Sequence, residues 1–290
     1  MSSSSSSSPV WLITAASSGF GKFIALEALS RGHMVLATAR NATKIDDLKS
    51  AGAKTYALDV TWDTTRLQTA VDQMVQDVGR IDILVNAAGY ILEGALEEVS
   101  PEETLAEFTT NVFGMINVTR AVLPTMRAQR SGVVANFGSL GSWIGGAAYS
   151  NYAATKWACS AVSESLAEEL KPLGITCTVV EPGYFRTGFL NPGARVKSAR
   201  VIDDYTDTVV GQVRNALDSV DNNQPGDVVK GSKVIVDVLT RTGAAAGREI
   251  PIRLVLGRDC VETIRQKCES TLKLLNEWEP IITSTDHDNA

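Results

Sequence analysis

The stretch Val10-Trp11-Leu12-Ile13-Thr14-Ala15-Ala16-Ser17-Ser18-Gly19-Phe20-Gly21-Lys22 decides the fold. Its opening is a short apolar run, the pattern of a strand buried on both faces. Small residues and two glycines follow. A helical pattern then runs to about residue 31, with Ile24, Ala25, Ala28 and Leu29 on one side and Gly32 as its stop. A glycine-rich turn between strand and helix lets backbone N–H groups approach a phosphate, and the helix N-terminus adds positive potential. Gly19 and Gly21 give that approach, and the Ser17 and Ser18 hydroxyls add donors. On this stretch alone, an ordinary β–α turn that needs glycine would read the same way.

The alternation continues outward. Strands are expected at 34–38, 55–58, 81–86, 133–137 and 175–180, and helices at 63–78, 101–127 and 151–170. Ser100 caps the second of these helices and Pro101 opens it. Strand–helix alternation means parallel strands joined by right-handed crossovers, hence an α/β doubly wound parallel sheet with helices on both faces. Residues 188–224 are polar and irregular and read as a mobile substrate lid with short helices. A helix at 226–241, a last strand within 249–256 and a helix at 259–278 complete one domain over 10–279. A Ser-rich tail at 1–9, expected to be disordered, and a flexible tail at 280–290 flank it.

Composition narrows the function. The 290 residues are 44% hydrophobic and 21% charged, enough for one well-buried domain. The net charge of −6 comes without a basic stripe, which argues against nucleic acid. No run of eighteen apolar residues suggests a membrane span, and the N-terminus does not resemble a secretory signal. Cys159, Cys177, Cys260 and Cys268 are scattered, as free thiols of a reducing, cytoplasmic compartment would be. The two histidines, His33 and His287, are too few and too badly placed for a His acid/base or a His/Cys zinc site, so no metal is expected.

Two constellations remain. At the end of the second strand, NAD binding usually needs a carboxylate for the adenosine ribose. This chain has Thr38-Ala39-Arg40, where Arg40 can pair with a 2′-phosphate, which predicts NADP(H). A solvated surface arginine is the plainer alternative. Asp59, with Val60 beside it, follows the third strand, where an acceptor could meet adenine. Asn86-Ala87-Ala88-Gly89 brings small residues to the cofactor's middle. Both could be turn chemistry alone. Further on, Tyr152 and Lys156 sit one helical turn apart, and Ser139 ends the fifth strand at the sheet edge where open α/β proteins bind ligands. An adjacent ammonium and a positively charged nicotinamide would lower the tyrosine pKa. Read singly, these could be a packed tyrosine, a solvated lysine and one small residue among several in Gly138-Ser139-Leu140-Gly141-Ser142.

In this order the motifs resemble the short-chain dehydrogenase/reductase family over nearly the whole chain. The resemblance implies a Rossmann-like domain. Thr14 to Gly21, Phe20 included, would be its cofactor loop, and Asn86, Ala87 and Gly89 its central motif. Asn111, Ser139, Tyr152 and Lys156 would be its catalytic set, with Tyr152 and Lys156 also contacting the cofactor. Pro182, Gly183 and Thr187 would meet the nicotinamide. Arg40 resembles the NADP-preferring branch, and the C-terminal segment is similar to steroid- and retinol-type dehydrogenases and fungal oxidoreductases. The chain departs from the family at Ala15, where glycine is usual, and Ala disfavours positive φ. The implied activity is hydride transfer between NADPH and a ketone, aldehyde or secondary alcohol of an apolar small molecule. Trp143, Tyr149, Tyr184, Phe185, Phe189 and Leu190 are the candidate pocket. The other readings are a redox-neutral isomerase or cyclase and an NADP-sensing binding protein. Family members commonly pair through the helices at 101–127 and 151–170, so a homodimer or homotetramer is expected.

Overall fold

The structure, a computed structural model, describes residues 8–287. In chain order the elements are β1 (Val10–Ile13), α1 (Gly19–Ser30), β2 (Met34–Ala39), α2 (Asp46–Ser50), β3 (Lys54–Ala57), α3 (Thr64–Val78), β4 (Ile83–Asn86) and β5 (Ile91–Glu93). Then come α4 (Pro101–Phe108), α5 (Met115–Gln129), β6 (Gly132–Phe137), α6 (Ser150–Leu170), β7 (Ile175–Pro182) and β8 (Arg195–Lys197). The chain closes with α7 (Val209–Val220), α8 (Val228–Thr240), β9 (Arg253–Leu256) and α9 (Arg258–Ile282). Seven strands form one parallel sheet in the order β3-β2-β1-β4-β6-β7-β9. The order reverses between β1 and β4, which opens a crevice at the C-terminal ends of those strands.

The apolar runs are buried because both sheet faces are covered. β1 and β4 are buried at every position. One layer packs α1, α2 and α8 on the sheet through residues such as Ile24, Leu48 and Ile235. The other packs α3, α5 and α6 through Leu67, Met74, Val122 and Leu170. Helix ends follow local chemistry. Ser100 and Glu103 form a reciprocal capping box at α4, and Asp63 caps α3.

Several expectations change. The helix expected at 101–127 is interrupted by a π-helical segment, Thr109–Gly114, with an ordinary helix on either side. A widened turn of this kind often marks a functional site, and Asn111 lies within it. The segment 188–224 is more organised than an irregular lid. β8 pairs in parallel with β5, and α7 follows. A buried charge network explains the attachment. Arg195 pairs with Glu93 and lies 2.6 Å from Asp218, while Arg214 pairs with Glu98. Arg195 and Glu93 have side chains only 5% and 1% exposed. The terminal expectations move too. Met34 N–H donates to Pro9 C=O, so Pro9 is already tied to the start of β2. α9 runs to Ile282, past the expected end at 278. The tail expectations for residues 1–7 and 288–290 lie outside the described residues. No described helix is long and apolar enough to cross a membrane.

Candidate active site

The crevice at the strand ends opens into a cleft with a cavity volume of about 220 Å³. Its floor near β1 is built from the opening loop. Gly19 has φ 52°, a left-handed conformation that glycine adopts freely. Gly21 is required for a different reason. A Cβ there would lie 2.6 Å from the Ala15 carbonyl oxygen, which is backbone and cannot give way. Ala15 has φ 51°, so its methyl group is carried in the strained region, as the departure from glycine implied. Ser18 precedes α1 without capping it through its side chain, and the first turn of α1 holds no acidic residue. The loop thus offers helix N–H groups to an anion with no capping side chain and no first-turn carboxylate competing for them.

Across the cleft, Tyr152 lies in the first turn of α6 and is 9% exposed. Its phenol faces the Ser139 hydroxyl, and its ring packs against Phe189 at 5.9 Å. The Ser139 Oγ also accepts from Gly141 N–H at 3.1 Å. Ser142 fixes this loop to α6 by donating to Lys156 C=O at 2.9 Å. Lys156 is buried and its Nζ donates to Phe137 C=O at 2.8 Å. A Cβ on Gly89 would lie 3.1 Å from Asn111 Oδ1 and 3.4 Å from Lys156 Nζ. Glycine there leaves the backbone open beside both groups.

The electrostatics differ from the expected lowering of the tyrosine pKa. Burial pushes the Tyr152 phenol above the ordinary range, and the facing Ser139 hydroxyl pulls the other way. Burial also lowers the Lys156 ammonium. That ammonium is turned to the Phe137 carbonyl and lies 5.7 Å from the centre of the Tyr152 ring. Within the protein alone, Tyr152 is therefore held protonated.

Of the residues expected at a cofactor, Ser18, Gly19, Phe20, Gly21, Ala87, Gly89, Pro182, Gly183 and Thr187 line the cleft with Ser139, Tyr152 and Lys156. Others lie outside its wall. Thr14 is fully buried, and its hydroxyl accepts from Ala87 and Ala88 N–H, tying β1 to the end of β4. Asn86 donates to Thr119 and Asn136, bracing β4 against α5 and β6. Val60 packs under Gly114. Asp59 accepts from the Thr61 N–H and hydroxyl, a local turn bond. Ser17 is half-buried and Arg40 exposed at the end of β2. Asn111 is 1% exposed. Its amide bonds both Tyr90 backbone groups and the Thr155 hydroxyl, so it holds the loop after β4 against α6 beside Lys156.

In the candidate pocket, Tyr149, Tyr184, Phe185, Phe189 and Leu190 reach the cleft and Trp143 does not. A half-buried indole N–H needs an acceptor. Trp143 finds one in Glu181 at 2.8 Å and stacks under Arg253. Ile91, Ile144, Leu217 and Gln224 line the cleft unforeseen. Gln224 is 2% exposed, and its side-chain oxygen has no partner among the described residues. His33 stacks on Trp11 and accepts from its indole N–H, so its role is structural.

Glu107 was also missed, because one glutamate on an amphipathic helix carries no signal of its own. It is fully buried one turn before Asn111. One oxygen accepts from Leu92 N–H at 2.9 Å and the other has no partner among the described residues. Burial raises its pKa from 4.5 to about 7, while the Leu92 bond and the Lys156 charge oppose the rise. Its folded pKa exceeds the unfolded value, so the folded state holds the proton longer. Stability is then greatest below pH 4.5 and falls as pH rises through 7. Glu107→Gln keeps the acceptor and removes the titration. Unfolding measured from pH 5 to 8 should show the variant gaining on the wild type by about 1–3 kcal/mol as pH rises. Parallel pH profiles would rule out a buried ionising carboxyl.

The sequence profile of the short chain dehydrogenases matches residues 9–195. The chain is 33% identical to oxidoreductase BOA17 of Botryotinia fuckeliana, over 94% of this chain and 97% of that one. It is 36% identical to a 3-ketodihydrosphingosine reductase of Bacteroides thetaiotaomicron, over 70% of this chain and 74% of the relative. A short-chain dehydrogenase structure from Streptomyces avermitilis superposes with a TM-score of 0.87 at 38% identity, covering 98% of this chain and all of that one. With its parallel seven-stranded sheet, its glycine turn at the switch point and the profile match across the first six strands of that sheet, this chain belongs to the short-chain dehydrogenase/reductase family of oxidoreductases.

Proposed function

We propose that this chain is an NADPH-dependent reductase of a ketone or aldehyde on an apolar small molecule. The observation that carries the reading is the meeting of Ser139, Tyr152 and Lys156 in one cleft with the Gly19–Gly21 turn. The cleft suits a dinucleotide. Gly21 cannot carry a Cβ, the N-terminus of α1 has no competing carboxylate, and Gly89 leaves space beside Lys156. Residues 18–21 would hold the pyrophosphate, Arg40 the 2′-phosphate, Lys156 the nicotinamide ribose, and Pro182, Gly183 and Thr187 the nicotinamide. The bound cofactor supplies the hydride. Ser139 hydrogen-bonds the substrate oxygen and orients it. Tyr152 gives that oxygen its proton as alkoxide charge develops. Asn111 serves as a positioning residue for Lys156.

The substrate side of the cleft is apolar and aromatic, with Ile91, Phe189, Leu190 and Leu217 among its walls. The unpartnered Gln224 oxygen would accept one donor from the substrate, since a buried acceptor gains most from a ligand that satisfies it. The similarity to a 3-ketodihydrosphingosine reductase fits a reductase of a keto compound. Exposed Leu105, Phe113 and Trp157 lie on or beside α4 and α6 and suit the expected oligomer interface.

Calorimetric titration with NADPH and NADH tests the cofactor reading. Arg40→Ala should erase a preference of roughly 10–100-fold, because one charge-assisted bond contributes about 1.5–3 kcal/mol. An equal response of both cofactors to the substitution would remove Arg40 from the phosphate.

A further inference from the structure

α9 has one buried residue, Cys260, and leaves the body of the fold after the half-buried Thr263 and Ile264. Every residue from Arg265 to Ile282 is exposed. A helix with nothing packed on it is marginal in water, because most helix stability in proteins comes from burying one face. α9 has such a face. Ile264, Cys268, Thr271, Leu275, Trp278 and Ile282 recur at alternating spacings of four and three, which sets them along one seam. Leu272 and Leu274 flank the seam and are 60% and 56% exposed. Glu262, Glu269 and Glu277 lie on the opposite side with Lys273, a polar face with too little positive charge to attract an anionic membrane.

The geometry points to a second copy of this chain as the partner, its α9 lying antiparallel across a two-fold axis beside Lys273. In that register Cys268 faces the second copy's Trp278, Thr271 faces its Leu275, and Ile264 faces its Ile282. The seam is about 28 Å long. Leu272 meets its own counterpart across the axis, and so does Leu274. Arg265 meets the second copy's Glu279, and the pair occurs twice by symmetry. The parallel arrangement lacks this match. It would set Lys267 against Leu272 and Leu274 against Glu279, with no ion pair at either flank. Charge complementarity therefore selects both the partner and its direction. This surface is distinct from the α4 and α6 faces and does not depend on the catalytic reading.

Two measurements on the full chain test it. In sedimentation, Arg265→Glu and Glu279→Arg should each weaken self-association at least tenfold, and the double variant should restore it. Under mild oxidation, Leu274→Cys in a Cys268→Ser background should form a disulfide-linked dimer. Native Cys268 should not, because the two copies' Cys268 are offset by about 15 Å along the helices. All these positions are exposed, so the substitutions leave the fold intact. Cross-linking through Cys268 but not through Leu274→Cys overturns the antiparallel register. Charge reversals without effect, or co-sedimentation of a monomeric chain with phosphatidylcholine vesicles, overturn the second copy as partner.

Discussion

Tyr152→Phe is expected to lower turnover with an apolar ketone by roughly a thousandfold or more, with NADPH affinity changed less than about twofold, since positioned acid catalysis contributes about 10²–10⁴. The substitution removes only the phenolic oxygen. The ring stays packed on Phe189, and Lys156 keeps its bond to the Phe137 carbonyl. The Ser139 hydroxyl would still orient the substrate oxygen, but the chain would lack a group to protonate it. Lys156 is an unsuitable replacement because its ammonium is turned to Phe137. Steady-state NADPH consumption, paired with a binding titration, separates the effects. A loss of less than tenfold would show that another group carries the proton. A parallel loss of NADPH affinity would mean that the phenol serves binding. The pH profile gives a further check. Burial raises the Tyr152 pKa, so the reductive rate should not fall through neutral pH from loss of this proton.

The sheet was legible in the sequence because its strands are apolar runs between helical periods, and burial on both faces leaves no polar alternation to confuse the reading. The motifs at Gly19, Ser139, Tyr152 and Lys156 were legible because each sits at a strand end or helix start that the sheet order brings to one crevice. What escaped was set by tertiary partners. β5 and β8 are three residues each, and Glu93, Arg195 and Lys197 give them the composition of a loop. Their backbones pair with each other beside the buried Arg195–Glu93 contact, a partnership 102 residues apart in sequence. Trp143 read as a pocket wall because aromatic residues near Ser139 suggest one, but the acceptor that claims its N–H is 38 residues away on β7. The π-helical segment preserves ordinary helical composition, and nothing in Thr109–Gly114 announces the widened turn that contains Asn111. Thr14 and Asn86 matched cofactor motifs, and the structure shows their side chains joining strands and helices around the cleft.

The Arg195–Glu93 pair carries the second large expectation. Arg195→Met should cost about 3–5 kcal/mol, because removing one partner of a buried pair leaves the other charge uncompensated. Glu93 is buried on β5, and its remaining cation, Arg214, is 3.8 Å away and already paired with Glu98. The carboxylate must then stay buried without a close partner or pull β5 away from β8 to reach water. The last course opens the cleft, because Ala194, next to β8, and Leu217 on α7 line it. The variant should therefore lose substrate affinity more than NADPH affinity, whose loop lies across the sheet at β1. Denaturant unfolding gives the cost, and ketone KM beside NADPH affinity shows where it falls. Glu93→Leu combined with Arg195→Met decides between lost charge and lost shape. An apolar pair of similar volume is often neutral at buried sites, so the double variant should recover most of the stability. A double variant as unstable as the single would show that the segment is held by side-chain shape at Arg195. A single variant costing less than about 1 kcal/mol, the range of an exposed pair, would mean that the charges are not what binds β8 to β5.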